Sequence, residues 1–290
     1  MTTPLVQLAH DATGLLHSFI YFAPETGEHL VGAGLEAGQM CYFAGRAAPM
    51  GPVGGGVVAA TFYNFNPALV YRFIPRAWEL ARPAAIVDAR LAAVDAASRR
   101  LYGADLIASA DMTRMAELAR RACDGCSGEG RPLYAGHADL DWPDQPHLVV
   151  WHALSLLREH RGDGHIVALV TAGLSGIEAQ ITHVATGEGF VAEVGRGSRG
   201  WTQEDWDDAT ARLIGRGLLT GQGELSPTGR ALRAHIEDET NRLATPPWDH
   251  LGADGTAEVI KTGGMMTAAI RAAGAFPRQG VFGPGWQQPK

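Results

Sequence analysis

The side chains best suited to chemistry crowd one stretch of the chain. Arg158, His160, His165, Glu178 and His183 follow one another closely there. Neutral imidazoles with a carboxylate are ligands for zinc or iron, so His160, His165, Glu178 and His183 are the candidate metal ligands. The same groups titrate near neutral pH and could work as acid and base. Histidines that cap helix-end carbonyls are the plain structural alternative, and the cofactor stays unknown from the residues. His160 ends one apolar periodicity and His165 opens the next, so a tight turn would bring them together. Glu178 and His183 fall on one later helix and only partly share a face. The run REHRGDG (158–164) is dense in charge. Either Arg158 or Arg161 serves there as an anion clamp, through its planar fork, or the run is a solvated helix end capped by Asp163.

Three further residues complete the candidate ligand set. Arg46 stands alone in the apolar, glycine-rich segment CYFAGRAAPMGPVGGG and must find a partner, either a structural carboxylate or a ligand anion. Tyr63 and Asn64, in FYNF, either pack or offer polar handles to a pocket. GPVGGG lacks the Lys-Ser/Thr end and the spacing of a nucleotide loop. Cys123-x-x-Cys126 is a lone CxxC without the second pair of a zinc site or a thioredoxin-like context. The sequence holds no GxSxG elbow, HExxH helix or EF-hand loop.

Composition narrows the classes. With 46% apolar and 19% charged residues, the chain has material for a sizeable core. The net charge of −7 argues against a broadly basic nucleic-acid surface. No apolar run approaches the roughly 18 residues of a membrane span, so no membrane partner is expected. Three cysteines cannot form a disulfide framework, and the N-terminus lacks a basic leader. A cytoplasmic protein is expected, as a monomer or weak homodimer.

The elements that must position these residues are mostly helical. HLVVWHALSLLREH carries Leu148, Trp151, Leu154 and Leu157 at helical spacing and is expected to stop at Arg161-Gly162. Asp163 would then cap a second helix, GHIVALVTA. Ser175 caps the next, SGIEAQITHVA, and Thr202 with Asp205 forms a capping box for TQEDWDDATARLIGRG. LLTGQGELSP reads as two short strands around a glycine turn, and Pro227 opens a long helix that ends before Pro246-Pro247. In the first half, Pro67 and Pro75 limit FYNFNPALVYRFIPRAW to short helical pieces.

Segments of the two halves also match each other. LVGAGL (30–35) parallels LVTAGL (169–174), and VDAASRRL (94–101) parallels IEDETNRL (236–243) at a nearly equal offset. The matches keep their order along the chain, which is the signature of an internal duplication. The expected organisation is a first repeat at 1–123, a Gly/Pro/Asp-rich linker at 124–146, a second repeat at 147–275 and a C-terminal arm at 276–290.

The run RLIGRGLLTGQGELSPTGRALRAHIE resembles the end of a winged helix of the MarR type. Arg216-Gly217-Leu218 matches the turn that closes the recognition helix. Residues 218–226 match the wing, and Leu225-Ser226-Pro227-Thr228-Gly229 the step into the closing helix. With YFAGRAAPMGPV, FYNFNP and REHRGDGH, the whole chain also resembles an actinobacterial family labelled helix-turn-helix. MarR-type proteins are homodimers of subunits about half this length. The resemblance therefore implies a mainly α fold of two pseudo-repeated winged-helix halves, like a fused dimer, with a small β-wing.

The resemblance also raises DNA reading, which the residues disfavour. The recognition-type stretch opens Thr202-Gln203-Glu204-Asp205-Trp206-Asp207-Asp208, an acidic end where a groove-entering helix meets phosphate. Arg196, Arg199 and Arg216 remain as possible phosphate contacts. The leading expectation is a small-molecule-binding protein with degenerate DNA-reading helices and its ligand held between the halves. One alternative is an enzyme of specialised metabolism using the His/Glu/Arg set; the other is a ligand-responsive MarR-like regulator.

Overall fold

The computed structural model describes residues 4–277 and 281–283, and over these the chain is mainly helical. The helices in order are α1 (Leu5–Ser18), α2 (Pro24–Gly32), α3 (Gln39–Ala47), α4 (Gly55–Phe62), α5 (Pro67–Tyr71), α6 (Arg76–Leu80), α7 (Pro83–Ile107) and α8 (Ala110–Cys123). They continue with α9 (Pro132–Ala138), α10 (Pro146–Thr171), α11 (Gly176–Val184), α12 (Ala192–Ser198), α13 (Gln203–Gly215), α14 (Pro227–Ala244), α15 (Pro246–Leu251) and α16 (Ala253–Ala272). Most of the expected arm at 276–290 lies outside the described residues. Among the described residues no single helix is long and apolar enough to cross a membrane.

The chain divides into two compact units. Unit 1 gathers residues 1–54, 73–164 and 241–276; unit 2 gathers 55–72, 165–240 and 277–290.

In unit 1, α1 packs along α16 and α2 along α7. Close approach of the first pair depends on Gly263, where a Cβ would stand 3.1 Å from Thr13 and 3.2 Å from the Ala12 carbonyl. Thr267 donates to that same carbonyl at 2.9 Å. Ile86, Arg90, Ala93, Val94, Ala97, Ser98 and Leu101 form the buried face of α7, so one charge sits on an otherwise uncharged stripe.

Unit 2 is built around an apolar cluster that includes Leu169, Leu174, Ile177, Ile181, Leu213, Leu218, Leu225 and Ile236, with Tyr63, Trp201 and Trp206 against it. The caps expected from sequence are in place. Ser175 and Glu178 form a reciprocal capping box on α11, and Thr202 and Asp205 one on α13. Pro227 opens α14, and Pro67 starts the short α5. Two glycines make the packing possible. A Cβ at Gly176 would stand 2.0 Å from the Tyr63 carbonyl oxygen, and one at Gly229 would stand 2.0 Å from that of Leu218.

Two expectations need correction. The expected strands at 218–226 reduce to a single antiparallel bridge, Leu219 to Leu225, closed by Thr220 N–H donating to the Glu224 carbonyl at 2.8 Å. The expected break at Arg161-Gly162 does not occur, and α10 runs through it to Thr171. Glycine inside a helix costs about 1 kcal/mol relative to alanine, and here close packing explains it. A Cβ at Gly164 would stand 3.2 Å from the Leu243 Cβ. Asp163 consequently caps no helix of its own. Its Oδ2 accepts the backbone N–H groups of Leu133 and Tyr134, at 3.0 and 2.9 Å, and so caps the start of α9 from the side.

The described part of the C-terminal segment is tied into unit 2. Val191 N–H donates to the Val281 carbonyl at 3.1 Å and Gly283 N–H to that of Gly189 at 2.7 Å. The Phe190 and Phe282 rings stack at 5.3 Å.

Candidate functional site

Unit 1 contains a cavity of about 510 Å³, within the range of small-molecule sites. Three segments make its walls. The first turns of α7 present Pro83, Ala84, Val87, Asp88, Arg90 and Leu91 on one face. Residues after α3 add Ala48, Pro49 and Gly51. The end of α9 and the chain beyond it supply His137, Leu140, Asp141, Trp142 and Pro143, and α10 supplies Trp151 and His152. Most of this surface is apolar or aromatic. Asp88 and Asp141 are exposed, whereas Arg90, His137, Trp151 and His152 are buried.

Arg90 is the unusual group. It is only 5% exposed, and its guanidinium lies 4.8 Å above the Trp151 ring. Nη1 meets His137 Nε2 at 3.2 Å. The other ring nitrogen, His137 Nδ1, lies 2.8 Å from the Leu133 carbonyl and must donate to it. Nε2 is then a lone pair that accepts from Arg90. Burial, with the Arg90 charge added, lowers the His137 pKa to about 3, so this imidazole stays neutral. Arg90 Nη2 is buried without a hydrogen-bond partner, and so is His152 Nε2. His152 sits edge-on to Trp142 at 4.7 Å, and burial and Arg90 lower its pKa to about 4. A buried donor without a partner is costly, so each such group calls for an explanation.

The surrounding charges deepen the asymmetry. Glu159 is fully buried and takes Arg46 in a bidentate pair at 3.1 and 2.9 Å. It also takes Arg158 Nη1 at 2.6 Å on both oxygens. Burial works against its ionisation, but Arg158 and Arg46 hold its carboxyl well below the ordinary value. Beside this cluster, Tyr21 O–H donates to His17 Nε2 at 3.0 Å, and His17 Nδ1 donates to Ser155 Oγ at 2.9 Å. That direction follows because Ser155 gives its own proton to the Trp151 carbonyl at 2.8 Å. Burial and nearby Arg158 keep His17 neutral. Arg46 and Arg158 therefore share one buried carboxylate, while Arg90 lies against a neutral imidazole and an indole.

The residues singled out from sequence fall in different places. Arg46 and Arg158 are the partners of Glu159, which resolves the lone arginine as a structural ion pair. His160 is buried in unit 1, edge-on to Tyr134 at 5.3 Å, with Nδ1 lacking a partner. Burial and Arg131 lower its pKa to about 4. His165 and His183 belong to unit 2, as do Glu178, Tyr63 and Asn64. His160 and His165 lie on the continuous α10, so no turn joins them. His165 Nδ1 meets Thr240 Oγ1 at 2.8 Å. Glu178 is occupied by its cap and by Arg212 and Arg216, each at 3.4 Å. Burial opposes ionisation of Glu178, but the Ser175 hydrogen bonds and the two arginines hold its pKa down. Tyr63 donates to the Leu174 carbonyl at 2.5 Å, and Asn64 Nδ2 to Gln180 at 3.0 Å. Among the described residues no three His, Cys, Asp or Glu side chains form a group that could hold a metal. Cys123 and Cys126 are free thiols, and burial pushes Cys126 up to about 12.

The sequence reading missed Arg90, His137 and His152. One signal was available: Arg90 interrupts the apolar stripe of α7, where a charge must be answered by a partner or a ligand.

On α13, Gln203, Glu204, Asp207 and Asp208 are exposed, while Ala209 and Leu213 face the core. Its last-turn Arg212 and the adjacent Arg216 are drawn to Glu178.

Residues 6–277 match the model of a family described as a helix-turn-helix family. No curated protein and no solved structure matches the chain.

Proposed function

The chain belongs to the helix-turn-helix family, and we propose that it is a small-molecule-binding member whose ligand occupies the unit 1 cavity. The observation that carries this reading is the cavity of about 510 Å³ whose lining includes a buried arginine with one unpartnered nitrogen. A protein interior is normally close-packed and its buried donors paired. A space that breaks both rules at one place is best explained by an occupant.

On this reading, α11 to α14 with the turn at 218–226 form a winged-helix-like body, and 1–123 and 147–275 are diverged repeats. The acidic face of α13 has turned away from DNA. Acids at a helix N-terminus are favourable for the helix dipole but repel phosphate. Arg212 and Arg216, which would reach phosphate, are held by Glu178.

The test is a thermal-shift screen of small organic molecules against the wild type and Ala84→Trp, which fills the cavity from α7. A true ligand at a hundredfold its Kd stabilises by roughly 2.7 kcal/mol. Hits that vanish in Ala84→Trp support the proposal; hits that persist place binding elsewhere and overturn it. Fluorescence anisotropy with duplex DNA at low salt is run in parallel. No binding is expected, and tight salt-dependent binding would restore the regulator reading.

A further inference from the structure

We propose that the cavity receives a single organic carboxylate carried on an apolar body, with the carboxylate on Arg90 and His152. This deepens the small-molecule reading above and rests on it.

The charge around Arg90 is the first argument. Arginine stays protonated in proteins. The buried carboxylate whose charge reaches Arg90, Glu159, is already taken by Arg46 and Arg158. His137 satisfies one nitrogen of Arg90 with a neutral lone pair and supplies no charge. One guanidinium in this buried set is therefore left without an anion, and its Nη2 is the atom left without a partner.

Geometry gives the second argument. Arg90 and His152 both line the cavity, both are at least nine-tenths buried, and each has one buried nitrogen without a hydrogen-bond partner. A carboxylate has two oxygens, one for Arg90 Nη2–H and one for a neutral His152 donating from Nε2. The Trp151 indole under the guanidinium and His137 beside it fix the orientation of Arg90 before any ligand arrives.

The rest of the cavity selects the body. Val87, Leu91, Leu140 and the Trp142 ring offer no further charge-matched donors. A phosphate would bring more acceptors than these two nitrogens can serve. Asp88 and Asp141 are exposed acids on the lining, and they disfavour a second negative group. The fitting ligand is a monoanion whose remainder is hydrocarbon, aromatic or aliphatic.

The experiment is isothermal titration of the full chain at pH 7.5 with two acids and their neutral twins, 2-naphthoate against 2-naphthamide and octanoate against octanamide. At least one acid should bind tenfold or more tighter than its amide. That preference should disappear in Arg90→Gln, while binding of both forms should vanish in Ala84→Trp. The acid–amide comparison in the wild type needs no variant, so it stands even if Arg90→Gln fails to fold. Amides that bind as well as their acids overturn the carboxylate assignment and leave the cavity reading intact. Failure of both acids to bind, beside neutral compounds that bind and are lost in Ala84→Trp, does the same. Acids that bind Ala84→Trp as tightly as wild type overturn both.

Discussion

Units 1 and 2 spend their interiors differently. Unit 2 closes around leucines and isoleucines, carries capping boxes at two helix starts and, among its described residues, buries only two charged side chains, Glu178 and Arg233. Unit 1 buries three arginines, one glutamate, one aspartate and five histidines, and keeps an open space beside them. Replacing buried ion pairs with well-packed apolar groups is often neutral or stabilising. Unit 1 is therefore poorly explained as a stability design, whereas unit 2 is well explained as one. The lesson is where to look for binding: in the region whose packing serves stability least.

The contrast can be broken most forcefully with acid. His17, His137, His152 and His160 all lie in unit 1, and burial depresses all four. Unfolded histidines take up protons as pH falls through about 6.5. The folded ones refuse until about 4 for His152 and His160, or about 3 for His137. Their contribution is thus fully present above pH 6.5 and is lost progressively as pH falls from there towards those values. Asp163 runs the other way: its carboxyl is raised by burial to about 6, so it favours the folded state below its ordinary value and loses that effect as pH rises through about 6. With His183 of unit 2 depressed by burial as well, five histidines against one aspartate predict a Tm that drops steadily between pH 7.5 and 4.5 by circular dichroism. A flat profile would remove the electrostatic half of the contrast.

Next in size is Glu159→Ala. Removing the carboxylate strands Arg46 in the interior and deprives the half-buried Arg158 of its partner, and breaking a buried pair costs about 3–5 kcal/mol. Urea unfolding measures it, and a cost below about 1 kcal/mol would mean that the arginines find other partners. Steric tests come third. Gly229→Ala forces a methyl against the Leu218 carbonyl and should cost about 1–3 kcal/mol, while Val87→Ile, which grows into the cavity, should change stability by less than about 0.5 kcal/mol. Equal costs would deny that one unit is full and the other spacious. Smallest are the caps: Ser175→Ala and Thr202→Ala should each lose about 1 kcal/mol in the same assay.

These sites also mark what the residues reveal by themselves. Ser175, Thr202 and Pro227 announce helix starts because a cap is a contact within three or four residues. Gly162 and Gly164 mislead for the opposite reason. They resemble a helix end, yet Gly164 answers to Leu243, far away in sequence. Asp163 likewise resembles a local cap and instead serves α9. The histidines and Glu178 drew attention by residue type, but type does not say what stands beside them. Arg90 was hidden because its partners come from α9 and α10, and only folding brings these to one wall.

Trp142 and Trp151 line the cavity, and they are two of the seven tryptophans in the chain. Trp151 is already constrained, stacked on His17 at 5.5 Å and lying beneath Arg90. An indole reports the polarity and the quenchers around it. A guest that displaces solvent from these two rings will change the emission of the unlabelled protein. The molecule therefore carries its own optical gauge of occupancy, readable by excitation near the tryptophan band with no dye attached.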